Sequence, residues 1–189
     1  MNRRGRMRGR RGDPKSDGRT EGKERSGDVR RHKGPDKEKQ MNASEVKENT
    51  LKYFEERFGL PRTIFDGYSI YLGPKGRLYL GPAKVPPNLR IVSPGLLIAR
   101  ADSGIKPSTN LFQLFGRQVE RNIIPLSKEQ TKKFVMGTDM ILEKSDVGDV
   151  SDGYVLVRYL GYNLGCALLK GTTLKNMVPK AKRLGLSFI

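Results

Sequence analysis

Val46, Thr50, Phe54 and Phe58 recur at four-residue spacing with Leu51 beside them, which places one apolar stripe along a helix. Asn42 or Ser44 can cap its start, and Gly59 followed by Pro61 stops it. A short turn, RTIFDG, leads into YSIYLGPKGRLYLGP, where two alternating segments flank GPKG. That pattern predicts a β-hairpin with a four-residue loop. LRIVS and GLLIARA, parted by Pro94 and Gly95, read as two more strands. The first half thus predicts a small α+β unit ending near Ser103.

The second half opens on KPSTNLFQLFG, a short helical segment that Ser108 or Thr109 can cap and Gly116 can end. QVERNIIPL reads as a strand up to Pro125. Ser127 and Gln130 fit a capping box for SKEQTKKFVMG, with Gly137 as its stop. DMILEK, GYVLVRY and LGCALLK predict three further strands. Short strands around one small helix point to a compact, barrel-like sheet. No internal repeat with a fixed period is present.

Residues 1–40 show neither pattern. They hold 15 Lys or Arg and 7 Asp or Glu, and their only aliphatic side chains are Met1, Met7 and Val29. Such a segment cannot bury enough apolar surface to offset its ordering entropy. The expected organisation is therefore a disordered basic tail over 1–40, a small α+β domain over 41–108, and a barrel-like domain over 109–189. For the tail the readings stay open: a solubilising tail, or an over-long reading with the true start at Met41, or a basic arm that follows phosphates.

A formal charge of +17 and a pI near 10.2 favour a polyanionic partner. No apolar run approaches the length of a membrane span, and the N-terminus lacks the apolar core of a secretory signal. The expectation is a soluble, cytoplasmic protein with no membrane partner. A single cysteine, Cys166, excludes an internal disulfide or a cysteine-based zinc cluster, and a single histidine, His32, removes nearly all histidine-based metal sites.

Candidate chemistry is sparse. Cys166, between Gly165 and Ala167 in an apolar strand with no basic neighbour, reads as a buried, inert thiol. Asp146, Asp149 and Asp152 lack the alternate-position spacing of a calcium loop and read as a solvated connection. Glu48, Glu55 and Glu56 fall on the polar face of the first helix. No catalytic residue, metal or cofactor is expected.

The basic residues near the C-terminus weigh more. From Gly153 to Ile189 there is no Asp or Glu, against Arg158, Lys170, Lys175, Lys180, Lys182 and Arg183, a local charge of +6. Lys170, Lys175, Lys180, Lys182 and Arg183 are candidate phosphate contacts, with 175–183 read as a loop. Tyr162 is a candidate stacking platform and Asn176 a candidate reader of base edges. Asn176 has a rival role in satisfying turn backbone. Arg117 and Arg121 could extend the positive surface.

The stretch GYVLVRYLGYNLGCALLKGTTLKNMVPKAKR resembles the C-terminal signature of the PUA-type RNA-binding domain attached to RNA cytosine-5 methyltransferases of the Nop/Sun family. The matching positions are Gly161, Leu164, Gly165, Leu174, Lys175, Asn176, Pro179, Lys180 and Arg183. YFEERFGLPRTIFDGY is similar to the small domain that precedes PUA in such proteins, and GLLIARADSGIKPSTNLFQLFG to the linker. The likeness covers about residues 44–189 and extends to Nip-type ribosome-biogenesis proteins. It implies a pre-PUA domain followed by a PUA-like β-barrel. The family's enzymes also carry a large domain that binds S-adenosylmethionine, and two catalytic cysteines. These 189 residues leave no room for that domain, show no G-x-G-x-x-G, and hold one cysteine. The resemblance thus implies a non-catalytic protein engaging structured rRNA or tRNA, in ribosome assembly on subunit precursors or in RNA modification. The alternative is a protein-interaction subunit that docks or positions a separate RNA methyltransferase.

Overall fold

The computed structural model describes residues 42–84 and 93–185. The expected tail over 1–40 and nearly all of the expected strand LRIVS lie outside the described residues. Helix α1, Ala43–Phe58, forms where the apolar stripe places it, and its four stripe residues are all buried. Asn42 Oδ1 accepts from the Ser44 amide at 3.2 Å, and Gly59 ends the helix in the left-handed region at φ 68°. Thr50 is the stripe's one polar member, and its hydroxyl donates to the Val46 carbonyl at 2.7 Å, so its burial leaves no unmet donor.

A 3-10 turn, Arg62–Phe65, leads to strands β1, Tyr68–Gly73, and β2, Arg77–Pro82. Gly73 remains in the ladder opposite Arg77, so the hairpin loop is three residues rather than four, with Lys75 and Gly76 both at positive φ. Strands β3, Leu96–Arg100, and β4, Lys106–Pro107, complete an antiparallel sheet in the order β1-β2-β3-β4. Helix α2, Thr109–Phe115, follows. Phe58 meets Phe112 edge-on at 4.9 Å, and Phe65 meets Phe115 at 5.1 Å. Together with Leu78, Leu80 and Ile98 these rings form the first core. Burying each such side chain stabilises the fold by about 1.5–3 kcal/mol.

Strand β5, Ile123–Pro125, and helix α3, Lys128–Val135, come next. The capping box is present: the Gln130 amide donates to Ser127 Oγ at 3.2 Å and the Ser127 amide to Gln130 Oε1 at 2.8 Å. Strand β6, Met140–Ile141, helix α4, Lys144–Val147, and strands β7, Gly153–Tyr159, β8, Tyr162–Lys170, and β9, Thr173–Asn176, follow. The sheet order is β5-β7-β8-β9-β6, antiparallel except that β5 runs parallel to β7. The α3 to α4 segment supplies the long crossover that a parallel pair requires. This sheet curls into a half-barrel around Ile124, Leu126, Phe134, Val155, Val157, Leu169 and Leu174. The overall class is α+β, with a half-barrel in the C-terminal part.

Two expected strands are shorter than the sequence suggests. QVERNIIPL contributes only Ile123–Pro125, because the Glu120 and Arg121 amides donate to Phe58 O instead of to a ladder and Asn122 turns at φ 55°. DMILEK contributes only Met140–Ile141, since the chain then enters α4. Conversely, residues 173–176, of which 175 and 176 are expected in a loop, form strand β9.

The two cores meet through the C-terminal sheet. Leu156 and Cys166 point away from the half-barrel interior and join the first core. Arg57, near the end of α1, donates from Nε to Tyr154 O at 3.0 Å, from Nη1 to Ser151 Oγ at 2.6 Å and from Nη2 to Ser151 O at 2.7 Å. A guanidinium with five donors can bind several fixed acceptors in one plane, and here it fastens α1 to the start of β7.

Candidate nucleic-acid interface

The β7-β8 hairpin turns on Leu160 and Gly161, at φ 43° and 81°, with Tyr159 opposite Tyr162. Two positive φ values in a two-residue loop match the right-handed twist of the strands, and Gly is the residue that adopts them without cost. Tyr162 is consequently presented at the hairpin tip, 73% exposed. Lys170 ends the same strand. A nine-residue strand spans about 26 Å between its end residues, so a ligand touching both must run along β8.

Lys175 stands on β9 opposite Leu168, and Thr173 opposite Lys170. The pleat therefore sends Lys170 and Lys175 to one face, while Leu174 and Asn176 turn inward. After Asn176 the chain crosses Gly165, where a side chain would meet Val178 and Thr109 atoms at 3.0–3.1 Å. That close approach is why the G..LG pattern needs its second glycine. The 3-10 turn Lys180–Lys182 then carries Lys182 to α2, where its Nζ donates to Gln113 Oε1 at 2.6 Å and to Asn110 Oδ1. Both acceptors are neutral, so the ammonium is held in place without a counter-charge. Lys170, Lys175 and Lys180 are exposed and take no part in any ion pair among the described residues.

Two candidates, Asn176 and Arg183, have structural roles, as does Arg158. Asn176 is only 7% exposed. Its Nδ2 donates to Phe134 O at 2.6 Å and its Oδ1 accepts from the Val178 amide at 2.9 Å. The base-edge role expected of Asn176 gives way to its rival, because a buried amide whose donor and acceptor are bound to backbone cannot read a base. Arg183 is partly buried; its Nε donates to Val178 O at 3.1 Å, and its side chain fills the space above Gly137. Arg158, counted in the acid-free run, donates to Asn163 Oδ1 at 3.1 Å and to Gly116 O at 2.6 Å.

Arg117 lies in the 3-10 turn Gly116–Gln118 and is exposed. A side chain at Gly116 would meet Asn163 at 2.5 Å, which puts Arg117 at the Tyr162 end of β8. Arg121 does not join the strip. It precedes β5 at the opposite edge of the sheet, with β7 and β8 between it and β9, and its Nη2 donates to Glu55 O at 3.3 Å. Lys132 and Lys133 were not singled out by the sequence. They occupy the last turn of α3, where Leu184 N donates to Val135 O at 2.9 Å. The cue lies in SKEQTKK itself, whose paired lysines end a capped helix, but nothing local says that the C-terminal segment returns there. Asp139 borders the strip, its Oδ1 accepting from the Asn176 amide at 2.8 Å.

Several other polar groups have local partners. Asp146 Oδ2 accepts from Gln130 Nε2 at 2.8 Å, and Asp152 Oδ1 from the Gly171 amide at 2.7 Å. Arg62 pairs with Glu48 and Glu55, and Lys52 with Glu56. Among the described residues no group of three or more His, Cys, Asp or Glu is placed to hold a metal ion, and no helix is long and apolar enough to cross a membrane.

Cys166 is fully buried, and burial pushes its thiol pKa well above the ordinary value. Since the thiolate is the reactive form, a maleimide is expected to leave Cys166 unlabelled in the native protein and to modify it stoichiometrically in denaturant. Mass spectrometry before and after unfolding checks this, and rapid native labelling would contradict it.

No curated protein matches the chain. Residues 121–184 match the family described as the Methyltransferase RsmF PUA domain. The match takes in β5 to β9 and the Lys180–Lys182 turn, the segment that carries most of the cationic strip. The likeness expected from GYVLVRYLGYNLGCALLKGTTLKNMVPKAKR therefore stands for these residues: they form a PUA-like module similar to that of Sun-family methyltransferases.

Proposed function

We propose that the chain is a non-catalytic RNA-binding protein of the cytoplasm, docking structured ribosomal or transfer RNA against its PUA-like sheet during ribosome assembly or RNA modification. The observation that carries this reading is that Lys170, Lys175, Lys180 and Lys182 are exposed in an acid-free segment lying almost wholly within the part similar to a methyltransferase PUA domain. Lysines without counter-charges bind phosphates mainly through counterion release. The non-catalytic assignment is supported by Cys166, whose thiol is enclosed rather than presented. In this reading 41–108 is the preceding α+β domain and 109–189 the PUA-like domain, with α2 packed against both β3 and β8.

Titration of a transfer RNA and of a ribosomal stem-loop at several KCl concentrations tests the reading. Four phosphate contacts give a slope of log affinity on log salt of roughly −3 to −4, and salt-insensitive binding would refute the docking mechanism. Crosslinking in cells followed by sequencing should enrich one RNA class. Reads in proportion to transcript abundance would sink the specific target. A methyltransferase co-purifying at fixed stoichiometry after nuclease treatment would favour the docking-subunit alternative.

A further inference from the structure

Residues 67–101 contain no Asp or Glu and five cations, Lys75, Arg77, Lys84, Arg90 and Arg100. Strands β1, β2 and β3 are built from this stretch. Ile70, Leu72, Leu78, Leu80 and Ile98 face the first core, so the pleat turns Tyr71, Arg77 and Tyr79 to the outer face. Arg100 shares that face, because it stands directly opposite Arg77. Tyr71 stands directly opposite Tyr79.

Both rings lie across the neighbouring strand instead of standing out from it. A side chain at Gly81 would come within 3.0 Å of Tyr71 Cε2, and one at Gly73 within 2.9 Å of Tyr79 Cε2. Tyr71 Oη donates to Pro82 O at 3.0 Å, which fixes the first ring over its glycine. Both tyrosines keep part of their surface accessible. Like charges placed directly opposite each other in a sheet destabilise it, and Arg77 and Arg100 belong to no ion pair among the described residues. Two pre-positioned aromatic rings beside two uncompensated guanidinium groups make a surface that rewards flat bases and an anionic backbone together.

We propose that this outer face is a second RNA contact that takes unpaired nucleotides, with Tyr71 and Tyr79 stacking bases and Arg77 and Arg100 holding the phosphate between them. The proposal rests on the RNA-binding reading but uses a surface outside residues 121–184. Rings lying on a sheet reach the faces of unpaired bases and not those stacked inside a duplex, which assigns single-stranded RNA to this face.

The test is binding of a labelled 12-nucleotide oligouridylate, on the order of the site sizes of sheet-type binders, by fluorescence anisotropy. The Tyr71→Leu/Tyr79→Leu pair keeps apolar cover over the glycines but removes the aromatic faces. It is expected to bind at least about tenfold more weakly, while Tyr71→Phe/Tyr79→Phe binds like the native protein. A folded Leu pair with native affinity, or a Phe pair as weak as the Leu pair, overturns the proposal. If the Leu pair fails to fold, Arg77→Gln/Arg100→Gln decides. Weaker binding with a salt slope reduced by about 0.7 per contact supports the site, and unchanged binding removes it. Native binding to a stem-loop but not to oligouridylate sinks the platform and leaves the PUA-like reading intact. Tyrosine-dependent oligouridylate binding, with stem-loop affinity indifferent to Lys175, Lys180 and Lys182, does the reverse.

Discussion

Replacing Lys175, Lys180 and Lys182 together by Ser should weaken binding of a structured RNA by roughly 50-fold near 0.15 M salt and leave the melting temperature almost unchanged. Each contact contributes about 0.7–0.9 to the salt slope, so three contribute about 2 to 3. Relative to 1 M salt, a slope of about 2.1 gives the 50-fold figure. Folding should survive because all three side chains are exposed and none is part of an ion pair among the described residues. Only the bonds from Lys182 to Asn110 and Gln113 are lost, and exposed polar contacts of this kind contribute little net stability. Arg183 is deliberately spared, since its side chain packs over Gly137 and bonds the Val178 carbonyl. The decisive measurement is the salt dependence of affinity for native and triple-variant protein, with circular dichroism melts in parallel. An unchanged slope would remove these lysines from the interface, whereas a collapsed melt would make the segment structural.

Asn176→Ala should do the opposite, lowering stability while leaving the salt slope alone. The substitution strands the buried Val178 amide and removes one bond to the Phe134 carbonyl, which keeps the Gly137 amide at 2.9 Å. An unsatisfied buried group costs about 1–3 kcal/mol and a lost hydrogen bond about 0.5–1.5 kcal/mol, so together they cost about 1.5–4.5 kcal/mol. At about 2–4 °C per kcal/mol for a domain of this size, the melting temperature falls by roughly 10 °C. Asn176→Asp separates the two bonds: a carboxylate still accepts from Val178 N but cannot donate to Phe134 O, and it brings an unpaired charge into the interior. It should be at least as damaging as Ala at neutral pH. Native stability in Asn176→Ala, combined with lost RNA affinity, would restore the residue to base recognition.

These two outcomes pull apart residues that are neighbours in the sequence. Lys175 and Asn176 sit side by side in LKN, yet β9 directs one to solvent and the other into the half-barrel. The alternation Thr173, Leu174, Lys175, Asn176 was available to inspection, and Gly171 before it marks the turn. What hid the strand was its shortness and the polar residue at an inward position. Asn176 is tolerated there only because Phe134, from α3, and Val178 supply its partners.

The sequence by itself determined the elements whose causes are local. The α1 stripe with its Asn42 cap and Gly59 stop, the Ser127 capping box, the β1-β2 hairpin and the acid-free cationic ending all follow from residues within a few positions of one another. So did the likeness to a PUA module, because its spacing pattern lies in one continuous segment. Only the tertiary structure decided the roles that depend on distant partners. It placed Arg121 against α1, Arg183 over Gly137, Leu156 and Cys166 in the first core, and two tyrosine rings against glycines of the adjacent strand. The physical reason is that charge and periodicity are properties of the chain, whereas burial and hydrogen-bond partnership are properties of pairs that folding brings together. An arginine in the sequence is a cation available to any anion. In the fold, the carbonyl it meets first decides whether it binds RNA or holds the protein together.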